Sequence, residues 1–125
     1  PAGVGKGFVN AVSGADNALV VVNPDVVSVR DGAYVARLLR EKDIKNIRLI
    51  INKIDIDLVK KGVFYNIDEV IDATTLQLIA AIPYDIDLLK RFEINTNMLY
   101  DSPALEAFSR LAKRMLKENI PLGIW

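Results

Sequence analysis

"ALVVVNPDVVSVRD", Ala18 to Asp31, carries the reading of the fold. Its first five residues form a continuous apolar run rich in β-branched side chains. Such a run predicts a strand buried on both faces, as in a parallel sheet with helices packed on each side. Asn23-Pro24-Asp25 then breaks it, because Pro24 has no N–H with which to extend a ladder. Ser28 reads as a helix cap, with Asp31 three residues on to bond back to the first turn. Val29, Ala33, Ala36 and Leu38 or Leu39 give that helix an inward face that runs out near Lys42. Strand, polar break and amphipathic helix in succession are the repeating unit of an α/β fold.

The unit recurs downstream. "IRLIIN" (Ile47 to Asn52) predicts a second strand, followed by a charged loop from Lys53 to Gly62. Asn66 and Glu69 make another cap-and-Glu start, for a short helix through Asp72. "LQLIAAI" (Leu76 to Ile82) predicts a third strand stopped by Pro83. A turn or short helix from Asp85 to about Phe92 leads into the irregular "EINTNMLYD". Ser102 then caps a last helix with Pro103 at its first position, where the missing N–H costs nothing. Leu105, Phe108, Leu111, Ala112, Met115 and Leu116 share a face at helical spacing, and Arg110, Lys113, Arg114 and Lys117 cover the other. A basic amphipathic helix of this kind either covers a sheet or lies on a membrane surface, and the sheet-covering reading is preferred. Upstream, Phe8, Val9, Ala11, Val12 and Ala15 form a short helical stripe ended by Gly14 and the turn-prone Ala15-Asp16-Asn17. The expected fold is therefore α/β, a parallel sheet of about three strands with flanking helices and right-handed crossovers. Three strands make a thin sheet, and "ALVVV" is too apolar for an exposed edge. A further strand, from sequence preceding Pro1, is expected beside it.

Composition narrows the chemistry. The chain has 125 residues, one domain or a piece of one, with 16 basic residues balanced by 16 acidic ones. No basic run exceeds two residues, so no nucleic-acid surface is predicted. Neither cysteine nor histidine is present. Disulfides, thiolate metal sites, zinc chemistry and histidine-based triads are thereby excluded within these residues. No apolar run approaches the roughly 20 residues a membrane helix requires, and no secretory signal is present, so a cytoplasmic location is expected.

Ligands of open α/β sheets bind outside the carboxyl ends of the strands. Three polar breaks fall there: "NPD", "NKID" and "IPYD". "NKID" (Asn52, Lys53, Asp55) fits the Asn-Lys-x-Asp pattern by which GTPases read guanine. An amide and a carboxylate bond a base edge there while the lysine stem lies along its face. The same residues also fit a solvated turn after a strand. The aspartates at 25, 31, 55, 57, 85 and 87 fall mostly on loops and caps, where aspartate is at home. "PAGVGKGF" (Pro1 to Phe8) looks like a phosphate loop, but Lys6 is followed by Gly7 rather than Ser or Thr. No strand precedes it either, so it lacks what a P-loop needs.

Assembled in order, Pro1-Ala2-Gly3, Asn10-Ala11, Gly14-Ala15-Asp16, Ala18 to Val22, Pro24-Asp25 and Ser28-Val29-Arg30-Asp31 form a specific combination. The agreement continues through "LIINK", "IDEVID", "LQLIAAIPYD" and "LAKRMLKENIPLGIW". The chain resembles, over essentially its whole length, the C-terminal half of the MinD-type ATPases. These are the septum-site-determining branch of the ParA-like, deviant-Walker P-loop family.

That resemblance implies a partial P-loop NTPase-like, Rossmann-like three-layer fold. Residues 1–125 would be the second half of one ATPase domain, with the phosphate-binding half preceding Pro1. It implies that Pro1, Ala2 and Gly3 are the switch II segment, sensing the γ-phosphate through Gly3. It makes Asn52 and Lys53, with Pro83, Tyr84 and Asp85, an adenine site, and Ser28, Arg30 and Asp31 a dimer and partner surface. The implied activity is ATP hydrolysis with Mg2+ in an ATP-dependent homodimer that recruits MinC- and MinE-like regulators. No catalytic residue is implied within this segment. Membrane association would come only through a basic amphipathic tail, which does not occur within these residues.

Two departures stand out. Ala33 occupies a position where the family often has a second acid, and "FEINTNMLYDSPA" replaces its Ser-Asn-x-Gly-Glu-Pro stretch. Two other readings remain. One is another ParA-like ATPase, of the partitioning or flagellar-number type, cluster scaffolds being disfavoured by the lack of cysteine. The other is a non-catalytic α/β interaction module.

Overall fold

A computed structural model describes residues 3–94 and 102–117, with side chains described outside 91–94. In chain order the elements are α1 (Lys6–Val12), β1 (Asn17–Val22), α2 (Val26–Glu41), β2 (Asn46–Ile54), α3 (Ile56–Lys60), α4 (Ile67–Thr74), β3 (Gln77–Pro83), α5 (Ile86–Ile94) and α6 (Pro103–Met115). The three strands form one sheet in the order β1-β2-β3, and both pairings are parallel. Val20 faces Leu49 and Val22 faces Ile51 across the first pairing. The expected α/β architecture with a three-stranded parallel sheet is what forms.

Two apolar layers sandwich the sheet. On one face Val20, Val22, Leu49 and Ile51 pack with Phe8 of α1, Val29, Ala36 and Leu39 of α2, and Val70 of α4. On the other, Ile50, Ala80 and Ile82 pack with Ala104, Ala107 and Leu111 of α6. β1 departs from expectation here. Val20 and Val22 are buried, whereas Leu19 is 43% and Val21 58% exposed. The composition is that of a strand covered on both faces, but among the described residues only one face of β1 is covered.

The start of α2 also differs. Its cap is Asp25, whose Oδ1 accepts from the Ser28 N–H at 2.8 Å. Ser28 lies inside the first turn, and its hydroxyl oxygen accepts from the Asn23 N–H at 2.9 Å. The backward bond of a capping box would go to the Asp25 N–H; here it reaches past Asp25 and Pro24 to Asn23. The buried face takes Gly32 where Ala33 was expected. A Cβ at Gly32 would collide with Val22 Cγ1, so the helix crosses β1 closely because the residue is glycine.

α1 buries Phe8 but leaves Val9 exposed, and β2 runs on through Ile54, beyond Asn52. Part of the charged stretch after it is helical: α3 is capped by Asp55, which accepts from the Asp57 and Leu58 N–H groups. The Asn66 cap of α4 forms as expected, accepting from the Glu69 N–H at 2.8 Å. Ser102 likewise caps α6 through the Leu105 N–H.

The buried face of α6 is not the expected one. Ala104, Ala107 and Leu111 face the sheet, while Phe108, Met115 and Leu116 stay exposed. At 3.6 residues per turn the large-residue stripe sits roughly a quarter turn from the buried one. Alanine lets the helix lie close against Ile50, Ala80 and Ile82.

Candidate functional site

The loops leaving β2 and β3 meet at the carboxyl end of the sheet. Ile54 is the register partner of Pro83, and the Tyr84 N–H donates to the Ile54 carbonyl at 2.8 Å. The register slips between Ile51 and Ile54, and Lys53, at φ 54°, takes the left-handed conformation there. For a residue with a Cβ that conformation is uncommon and is held by its surroundings. It turns the Asn52–Lys53 pair out of regular strand geometry at the place where a ligand would approach.

The five residues of the implied adenine site are thus brought to one end of the sheet on adjacent strands, but not all to one cavity. A cavity of about 240 Å³ there is lined by Asn23, Asp25, Lys53, Asp55, Leu58, Phe64 and Tyr84. Lys53 is exposed and Tyr84 is 48% exposed on its wall. Asn52 is half-buried and does not line that cavity. Pro83 is buried, closing the end of β3.

Asp85 is half-buried and engaged by both neighbouring helices. Its Oδ1 accepts from the Asp87 and Leu88 N–H groups at 3.0 and 3.2 Å, and its Oδ2 from the Ala104 N–H at 3.4 Å. Burial alone would raise the Asp85 carboxyl. Hydrogen bonds from the Ser102 hydroxyl and from the Leu88, Ala104 and Asp87 backbones outweigh it, so the group lies below its ordinary value. Sequence reading missed this double role, because nothing in the spacing of Asp85 and Ala104 announces a contact between them.

The other implied sites lie apart. Ser28 is half-buried and tied into the cap of α2, while Arg30 and Asp31 are exposed and paired at 3.7 Å. Their side chains are 73% and 69% exposed, so the pair adds little to stability. Gly3 is exposed at φ +74°, a backbone state that favours glycine. Pro1 and Ala2 lie outside the described residues. Among the described residues no cluster of three acidic side chains could hold a metal ion, and no helix is long and apolar enough to cross a membrane.

Parallel strands flanked by helices, with polar loops gathered at their carboxyl ends, define an open α/β fold of the kind that binds ligands at that end. No protein-family model matches the chain. The septum site-determining protein MinD of Bacillus subtilis is 35% identical over 127 residues, covering 99% of this chain and 47% of that protein. The structure of a MinD cell division protein of Aquifex aeolicus superposes with a TM-score of 0.89 at 37% identity, over 99% of this chain and 53% of that one. A MinC:MinD complex from the same organism gives a TM-score of 0.88 at 36% identity, over 98% of this chain and 52% of that chain. The chain belongs to the MinD family of septum site-determining proteins. It spans about half the length of the relatives it matches.

Proposed function

We propose that residues 1–125 are the C-terminal half of a MinD-type ATPase domain, and that the whole protein hydrolyses ATP and acts in division-site selection. In this reading the chain supplies the adenine end of the nucleotide site, the switch II segment at Pro1, Ala2 and Gly3, and a dimer and partner surface at Ser28, Arg30 and Asp31. The observation that carries it is the convergence of Asn52–Lys53 and Pro83–Tyr84 at one end of adjacent parallel strands, joined by the bond from Tyr84 to Ile54.

The donor set fits a purine. The Asn52 amide has both a donor and an acceptor for a base edge, and the Tyr84 ring and Lys53 stem offer apolar surface in the cavity at the same end of the sheet. The phosphates and Mg2+ would be held by residues outside this chain, since Lys6-Gly7 lacks the hydroxyl of a phosphate loop and no acidic cluster is present among the described residues. Clamping of the phosphoryl oxygens, the main source of rate in such enzymes, then comes from the other half of the domain. This half would orient the base and close the dimer, so that hydrolysis reports partner state. The MinC:MinD structure supports a MinC-like regulator as the partner. A MinE-like regulator belongs to the same reading.

The test compares the 125-residue chain with the same chain joined to its upstream half. The joined protein is expected to release phosphate from ATP, and the chain alone to release none above background. Phosphate release by the purified chain alone would count against this division of labour.

A further inference from the structure

α6 is held on the sheet by a face that buries little. Its inward residues are Ala104, Ala107 and Leu111. At about 25 cal/mol per Å² of apolar surface, two methyl groups and one leucine make a modest contact. Polar ties at the two ends of the helix supplement it. Near the last turn, Arg114 Nη1 donates to the Ile79 carbonyl at 2.9 Å. At the first turn the tie is Asp85.

The Asp85 carboxylate takes the Asp87 and Leu88 N–H groups of α5 and the Ala104 N–H of α6, with the Ser102 hydroxyl as a neighbour that favours its ionised form. Ser102 is itself 3% exposed and accepts from the Leu105 N–H at 3.1 Å. A carboxylate has about four acceptor directions, and three backbone N–H groups from the starts of two helices already take up much of this one. The residue before it, Tyr84, is pinned from the other side by its bond to Ile54.

We propose that Asp85 is a positioning residue for the base end of the nucleotide site: by tying the starts of α5 and α6 to the end of β3, it sets where Tyr84 stands relative to Asn52, without touching the base. The inference rests on the adenine reading of Asn52 and changes the role the family resemblance gives Asp85. Binding of ATP and seating of α6 become coupled through one side chain. Asp85→Asn keeps one oxygen to cap α5 but turns an N–H donor toward the Ala104 N–H, which is itself a donor. Ser102→Ala leaves the Asp85 charge in place and removes the hydroxyl between the two helices.

The experiment uses the chain joined to its upstream half, with equilibrium binding of ATP and of inorganic tripolyphosphate, steady-state hydrolysis, and amide hydrogen exchange. In Asp85→Asn, ATP affinity is expected to fall about tenfold and KM to rise with kcat little changed, the signature of lost uniform binding. Tripolyphosphate, which has no base, should bind as to the parent protein, and the Ala104 and Leu105 amides should exchange faster. Ser102→Ala should move the same readouts in the same direction by less, and it decides the matter if Asp85→Asn does not fold. Faster exchange at Ala104 and Leu105 with parental ATP affinity would overturn the proposal alone. Equal loss of ATP and tripolyphosphate binding would also overturn it. A parent protein that binds ATP no better than tripolyphosphate would overturn the adenine reading, and this proposal with it.

Discussion

Val21 and Ile50 are register partners on the same face of the sheet, yet Val21 is 58% exposed and Ile50 5%. The difference is what lies above them. α6 covers Ile50, and nothing among the described residues covers Val21. A groove of about 710 Å³ also follows β1, lined by Phe8, Val12, Leu19, Gly32 and Tyr34 among others.

An apolar, uncharged strand at the edge of a sheet is a template for pairing with another chain. The isolated 125-residue chain should therefore self-associate through residues 17–23. Val21→Lys should reduce that association at little cost to folding, whereas Val20→Lys would also damage the core, Val20 being 6% exposed. Sedimentation with the upstream half added in trans checks it, together with exchange of the Leu19 to Val22 amides. A monodisperse, strongly protected monomer indifferent to the added half would mean that the sheet is complete as it stands.

The cap of α2 makes a second expectation. Asp25→Ala should cost about 1 kcal/mol, the usual value of a lost cap, while Asp25→Asn should restore most of it because asparagine caps as well. Chemical denaturation of the joined protein measures both. If Asp25→Ala proved silent, the bond from Ser28 N–H to Asp25 would not be holding the helix start.

Much of this fold was legible in the sequence. The runs Ala18–Val22, Ile47–Asn52 and Leu76–Ile82 announced three parallel strands, and the Asn66 and Ser102 caps fall where side-chain chemistry puts them. Choices between neighbours were not legible. Asp25 and Ser28 both cap helices, and only the fold shows that Ser28 is bound back to Asn23. Likewise, the periodicity of α6 favours its large residues, but a helix lying close on Ile50 and Ala80 selects alanine. For the site, the residue types and their strand ends could be read, along with the convergence of the two loops. The tie from Asp85 to the start of α6 could not, because it joins positions 85 and 104 through tertiary packing.

Acid should expose that engagement. The Asp85 carboxyl titrates below its ordinary value of 3.8, so folding favours its ionised form. The stability this contributes is fully present above the unfolded value and is lost as pH falls through the lowered folded value. Denaturation profiles of the joined protein between about pH 5 and pH 2 should lose stability more steeply in the parent than in Asp85→Asn. Superimposable slopes would show that the bonds to Asp85 do not discriminate between its charged and neutral forms.

The central claim is that Asn52, beside the loop after β3, reads the base of ATP, and its direct measurement is ATP affinity and turnover of the joined protein carrying Asn52→Ala. Hydrogen bonds to a base far from the reacting phosphate are made equally in the ground and transition states, so their loss weakens binding without slowing chemistry. The account predicts an ATP Kd raised about tenfold, as expected for roughly 1.4 kcal/mol of lost bonding, with kcat little changed. An unchanged ATP Kd, or a kcat lost with binding intact, would contradict it.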